Sequence, residues 1–169
     1  MSYFDEGVFG GGLGPQGLIC FDGGGTPIFQ YREFAERNGL PPIDDCYAMN
    51  VAANGDVWLN YYSNFPLVHL RDFALEQVWP NFGAMGNGFA LRQGSAFYLS
   101  FTIRDVNVPP VREAHLISRE LRSEEALGFV AVDECGQGLV PLPVPQLGFV
   151  GRGSHMLLNT GEALYRSIE

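Results

Sequence analysis

The chain is interrupted too often to form long helices. Gly, Pro, Asn or Asp breaks it every few residues, and the intervening runs are short and rich in aromatic and branched side chains. These runs include "SYFDEGVF", "GLICFD", "PIFQY", "CYAMNV", "DVWLNYYS", "PLVHLR", "EQVW", "GFALRQ", "SAFYLSFTI", "AHLISREL", "GFVAVDE", "GFVGRG", "HMLLN" and "ALYRSI". They read as β-strands, because such side chains suit a pleated, half-buried surface and the bounding residues suit turns. Only Arg32 to Gly39, "REFAERNG", has a helical pattern, with Asn38-Gly39 as its stop. The run "SRELRSEEAL" fits either a second short helix or a strand that leads into a polar turn. An all-β chain is expected.

The runs also recur in order. "GLICFDGGGTPIFQY" is matched by "PLVHLRDFALEQVW": each has an apolar strand, an aspartate (Asp22, Asp72), a turn, and a second strand with an aromatic (Phe29, Trp79). "CYAMNVAANGDVWLNYY" is matched by "GFALRQGSAFYLSFTI" and by "GFVGRGSHMLLNTG", where a strand of small residues turns at N-G, Q-G or R-G and returns bulkier, as in a tight hairpin. Tyr47, Phe89 and Phe149 mark equivalent points, with the later step lengthened by "VNVPPVRE" and "LVPLPVPQ". The expected unit is four strands in roughly forty residues, a period typical of repeat architectures.

That unit resembles a β-propeller blade. "CFDGGGTPIFQY" is similar to the outer hairpin of quinoprotein-like propellers, and "YFDEGVFG", "DDCYAMNV" and "NFPLV" resemble uncharacterised bacterial propeller-like or WD-like proteins. The WD dipeptide and a quinone-cofactor signature are both missing. The resemblance implies one domain over residues 1–169, a partial β-propeller of about three and a half to four four-stranded antiparallel blades. Their approximate spans are 1–40, 41–82, 83–135 and 136–169, with three, four, four and three strands. It brings no catalytic residues with it. An arc that starts and stops in mid-blade exposes strand edges, so a homodimer or other homo-oligomer that completes the ring is expected, with half of a heteromeric propeller or a tight four-bladed monomer as the alternatives.

Two short motifs invite other interpretations. "GLGPQG" (residues 12 to 17) has the G-x-G-x-x-G spacing of a dinucleotide-binding turn, but that turn needs a helix to follow, and here Pro15 lies inside the motif and the strand-like "LICFD" comes next. It is expected to be a connection, Gly10 to Gly17, between strands. "GRGSHM" (Gly151 to Met156) looks like a tag scar, yet it falls where the repeat requires a hairpin and is taken as native.

Composition limits the partners. The formal net charge is −9, and all ten basic residues are Arg. An acidic chain without a basic stripe is a poor match for nucleic acid, and without Lys there is neither Schiff-base chemistry nor a Walker-type phosphate contact. The first residues, "MSYFDEGVFG", lack the positive charge of a secretory leader, and no apolar run approaches a membrane span. Cys20, Cys46 and Cys135 are widely spaced and odd in number, which suggests reduced thiols and a cytoplasmic protein. They lack metal-ligand spacing with His69, His115 or His155. No metal and no cofactor is expected.

Mapped onto propeller blades, the loops Gly10 to Gly17, Ile43 to Asp45, Ser63 to Phe65 and Arg104 to Val108 share one face, at the channel mouth. The candidate ligand-binding residues there are Asp5, Glu6, Asp44, Asp45, Tyr61, Tyr62 and Arg104. Paired carboxylates suit a glycosidase acid and base if they lie about 5 to 9.5 Å apart with one pKa raised. The competing interpretation is that the aspartates accept backbone hydrogen bonds at turns. No G-x-S-x-G is present, Cys46 has no evident partner His, and His69 and His115 sit in strands as packed or surface residues rather than bases. The expected function is a non-enzymatic binding scaffold that presents loops to a protein or small ligand. The alternative is an enzyme or enzyme subunit using channel-mouth carboxylates.

Overall fold

The computed structural model describes residues 2–3, 14–86, 88–103, 112–123, 126–129, 148–159 and 164–166. Among these the chain is all-β apart from one helix and a short 3-10 turn. β1 (Ser2–Tyr3), β2 (Leu18–Phe21) and β3 (Pro27–Gln30) form one sheet, followed by helix α1 (Tyr31–Asn38). A second sheet holds β4 (Cys46–Val51), β5 (Val57–Tyr61), β6 (Leu67–Arg71) and β7 (Ala74–Trp79) in sequence order. β8 (Phe89–Arg92), β9 (Ser95–Ile103), β10 (Arg112–Glu120) and β11 (Ala126–Phe129) make the third. The fourth contains β12 (Gly148–Arg152), β13 (His155–Asn159) and β14 (Leu164–Arg166). In each sheet the strands that pair are consecutive in the sequence and antiparallel.

The resemblance to β-propellers is overturned. The described residues form separate small antiparallel sheets in two compact units, Met1–Met49 with Asn54–Ala84 and Asn50–Ala53 with Met85–Glu169, rather than the blades of a closed ring. The physical reason is that a hairpin pattern encodes which neighbouring strands pair and carries no information on how one sheet is set against the next. The ring-completing dimer loses its premise with the ring.

Local chemistry explains the turns. Arg92 pairs with Ser95 across Gln93-Gly94, whose φ of 50° and 81° are the left-handed pair of a type I′ hairpin. Arg152 pairs with His155 across Gly153-Ser154, so "GRGSHM" is part of the β12–β13 hairpin and its turn is G-S rather than R-G. Gly151 is required there, because a Cβ at this position would run into the Phe89 carbonyl of β8. In the first sheet, Asp22 Oδ1 accepts the Gly24 and Thr26 N–H groups at 2.9 and 2.8 Å, closing the β2–β3 turn. Gly14–Gln16 is the 3-10 turn that leads directly into β2, and residues 4–13 lie outside the described residues. β10 ends at Glu120 in a polar turn, so the strand interpretation of "SRELRSEEAL" is the one found. β11 begins upstream of the expected "GFVAVDE", most of which lies outside the described residues.

α1 ends as its sequence predicts. Gly39 adopts φ 65°, the Leu40 N–H reaches Ala35 O at 2.9 Å and the Gly39 N–H reaches Glu36 O at 3.4 Å, which is a Schellman stop. Tyr31, Phe34 and Ala35 are its buried face. With Leu18, Ile19, Leu59, Tyr61, Leu67 and Val68 they make the core of the first unit. In the second unit the buried set includes Met85, Phe89, Ala90, Ala96, Leu99 and Leu116. Asn50, fully buried, is fastened within that unit: its amide donates to Phe89 O at 2.7 Å and Gly153 O at 3.1 Å, and its oxygen accepts the Gly153 N–H at 2.6 Å. A buried amide costs stability unless it is paired, and here it is paired on both atoms.

Candidate functional site

The second sheet has two very different ends. At one, β5 leaves the sheet after Tyr61 and returns as β6 at Leu67, with Asn60 paired to Leu67. The connecting loop holds three consecutive non-glycine residues in the left-handed region: Ser63 at φ 73°, Asn64 at 75° and Phe65 at 47°. Ser63 and Phe65 in this region each cost about 1–3 kcal/mol, Asn64 less because Asn tolerates it, and such a run persists only where its surroundings over-determine it. A second loop beside it, after β7, places Asn81 at φ 55°.

The determinants are visible. Asp44 accepts a hydrogen bond from the Ser63 hydroxyl, and Asp45 O accepts the Tyr62 N–H at 2.7 Å. Asn60, with no exposed surface, donates its amide to Pro66 O and to Gly83 O, both at 3.0 Å. Gly83 N–H donates in turn to Phe65 O at 3.1 Å. One buried side chain therefore ties the two loops together. Between them lies an open hollow of about 390 Å³ lined by Tyr62, Ser63, Asn64, Phe65, Asn81 and Gly83. Tyr62 is 52% exposed, with its ring edge-on to Phe65 at 5.4 Å and tilted against Tyr47 at 6.5 Å. These contacts fix the ring while leaving surface free.

The opposite end is closed by charge. Asp56, buried at the start of β5, takes a hydrogen bond of 2.7 Å from His69 Nε2 and two from Arg71 at 3.0 and 3.2 Å. Arg71 also reaches Glu76 at 3.0 Å. The Arg71 guanidinium, assisted by His69 and Asn54 and opposed by burial, holds the Asp56 carboxyl down at about 2. The Trp58 ring lies flat on His69 at 3.8 Å across the β5–β6 pair. His69 is thus a packed strand residue with a partner. The Asp56 carboxylate accepts from both His69 and Arg71, so the network is a structural lock.

Of the residues expected at a binding face, the structure brings three to this end of the sheet. Tyr62 lines the hollow, and Asp44 and Asp45 support its loop through Ser63 and the Tyr62 N–H. Tyr61 points the other way. It has no exposed surface, its hydroxyl donates to Pro41 O at 3.1 Å and pairs with the Tyr31 hydroxyl at 2.9 Å, and burial pushes its pKa up to about 12. Burial raises Tyr31 further still. Asp5, Glu6 and Arg104 lie outside the described residues. Sequence reasoning missed Asn60, Asn81 and Gly83. A usable signal was the Asn-Phe dipeptide shared by "SNFP" and "PNFG", since Asn tolerates positive φ and both copies end as turns of the hollow.

Among the described residues no three His, Cys, Asp or Glu side chains gather as metal ligands, and no helix is long and apolar enough to cross a membrane. No curated protein and no solved structure matches the chain. The family match found is to YxzG and brings no propeller family with it, consistent with the separate sheets. Over residues 18–100, from β2 into β9 and including both ends of the second sheet, the chain is similar to the YxzG family.

Proposed function

We propose that this protein is a non-enzymatic binding scaffold whose ligand, a small molecule or a loop of a protein, enters the hollow at Tyr62–Phe65 and Asn81–Gly83. The supporting observation is the three-residue left-handed run held by Asp44, Asp45 and Asn60. Backbone strain maintained by dedicated side chains is a feature of sites, where pre-organisation lowers the ordering cost of binding. The rest of the sheet serves as a rigid mount, in keeping with recognition residues on loops. Asp44, one of the carboxylates an acid–base mechanism would employ, is engaged by Ser63 in holding the loop. Among the described residues Cys20 and Cys46 form no disulfide, which suits a reducing compartment such as the cytoplasm.

A fragment library screened against ¹⁵N-labelled protein tests the proposal. Binding fragments are expected to move the backbone amides of residues 62–65 and 81–83 together and to be recovered unchanged after prolonged incubation. Hits scattered over the surface, or consumption of a bound fragment, would overturn it.

A further inference from the structure

We infer that the hollow takes an uncharged saccharide, an inference that rests on the binding function proposed above and adds the class of ligand. Its lining contains no ionised side chain of either sign: Tyr62, Ser63, Asn64, Phe65, Asn81 and Gly83. An anionic ligand would lose hydration there without gaining a counter-charge, and the chain's net charge of −9 further disfavours it. The nearest carboxylate, Asp44, stands behind Ser63 and is engaged by its hydroxyl rather than lining the hollow for a cation. What the lining offers instead is a pair of exposed amides. Asn64 and Asn81 have no hydrogen-bond partner for their side chains among the described residues, and each presents both a donor and an acceptor. A sugar hydroxyl needs both at once.

The aromatic part fits the same ligand. A pyranose ring has an apolar C–H face and a polar edge, and Tyr62 offers a half-exposed ring held in place by Phe65 and Tyr47. With the ring as platform and the amides beside it, the hollow combines the two surfaces a sugar presents. Its volume of about 390 Å³ lies at the lower end of ligand sites, which run from about 300 to 1,000 Å³. A peptide, the other neutral ligand rich in hydrogen bonds, is captured most readily along an unpaired strand edge. Only loop and turn residues line this hollow.

The test is a set of ¹⁵N-edited titrations of the intact chain. The probes are four neutral oligosaccharides (cellotetraose, xylotetraose, mannotetraose and maltotetraose), a blocked alanine tetrapeptide, tetramethylammonium and inorganic phosphate. At least one oligosaccharide is expected to shift the amides of Ser63, Asn64, Asn81 and Gly83 and to saturate at about 1–10 mM or below. Tyr62→Ala and Asn81→Ala are each expected to weaken that binding at least about tenfold, while Ile28→Ser, on the first sheet, leaves it unchanged. Two variants guard against a folding defect in one, since either with a wild-type spectrum elsewhere suffices. If only the peptide, the ammonium ion or phosphate moves those amides, the saccharide is wrong and the binding hollow stands. If no probe moves them, or an oligosaccharide binds both variants as well as wild type, the inference is overturned.

Discussion

The two ends of the second sheet are built from the same strands and solve opposite problems. At the Asp56 end, carboxylate, imidazole and guanidinium satisfy one another and the Trp58 ring covers His69. At the Tyr62 end, Asn60 and Asp44 hold a strained loop, while Asn64 and Asn81 are exposed. One end uses polar groups to close the structure and the other uses them to keep a surface open. Polarity alone therefore does not mark a site; what separates the two is whether the polar groups already have partners.

The largest effect is expected from breaking the lock. Asp56→Ala removes the acceptor of both His69 and Arg71 and should destabilise the protein by roughly 3–4 kcal/mol, read from the urea midpoint. A change under about 1 kcal/mol would erase the contrast, since it would mean the network contributes as little as an ordinary surface ion pair. Next comes Asn60→Ala, which leaves the Pro66 and Gly83 carbonyls unpaired. It should cost about 2–3 kcal/mol and, unlike Asp56→Ala, speed amide hydrogen exchange across residues 62–66 in particular. Uniform acceleration throughout the sheet would show that Asn60 is not a loop clamp.

Acid titration sharpens the comparison further. The folded carboxyl of Asp56 titrates at about 2 against an ordinary 3.8, so the unfolded chain binds the proton first. The stabilisation is thus fully present above about pH 4 and is lost as pH falls towards 2. Asp56→Asn should flatten the pH dependence of the melting temperature in that window. An unaltered slope would assign acid sensitivity to other carboxylates.

The smallest effects belong to the hollow. Asn64→Gly relieves a positive φ and should stabilise by about 0.5–1 kcal/mol, whereas Tyr62→Ala, at an exposed position, should change stability by no more than about 0.5 kcal/mol. Calorimetric melting temperatures check both. If Asn64→Gly destabilises instead, the loop is not strained and its support by Asp44 and Asn60 has another purpose.

The turns and strands were legible because their causes are local. Gln93-Gly94 demands a tight hairpin, Gly39 stops α1, and alternation in "CYAMNV" becomes the buried and half-buried alternation of β4. The site was legible only in part. The loops Ile43 to Asp45 and Ser63 to Phe65 meet through the Asp44–Ser63 hydrogen bond, although the propeller face that put them together in the sequence reading is not there. Tyr61 and Tyr62, adjacent in sequence, face opposite ways, and no composition argument separates them in a loop that leaves the strand between the two. The propeller resemblance failed for a related reason, since meanders of the same length can be set against one another in more than one arrangement.

By itself the sequence determined the class of backbone: many short strands, paired with their neighbours, with one helix of two turns. Hydrogen bonding between residues a few positions apart suffices for that. Tertiary structure alone decided which polar residues were satisfied, because the partners of Asn60, Asp56 and Asn50 lie on other strands or turns, up to 103 positions away for Asn50 and Gly153. A buried amide or carboxylate is defined by what it meets there, and no local pattern encodes the meeting.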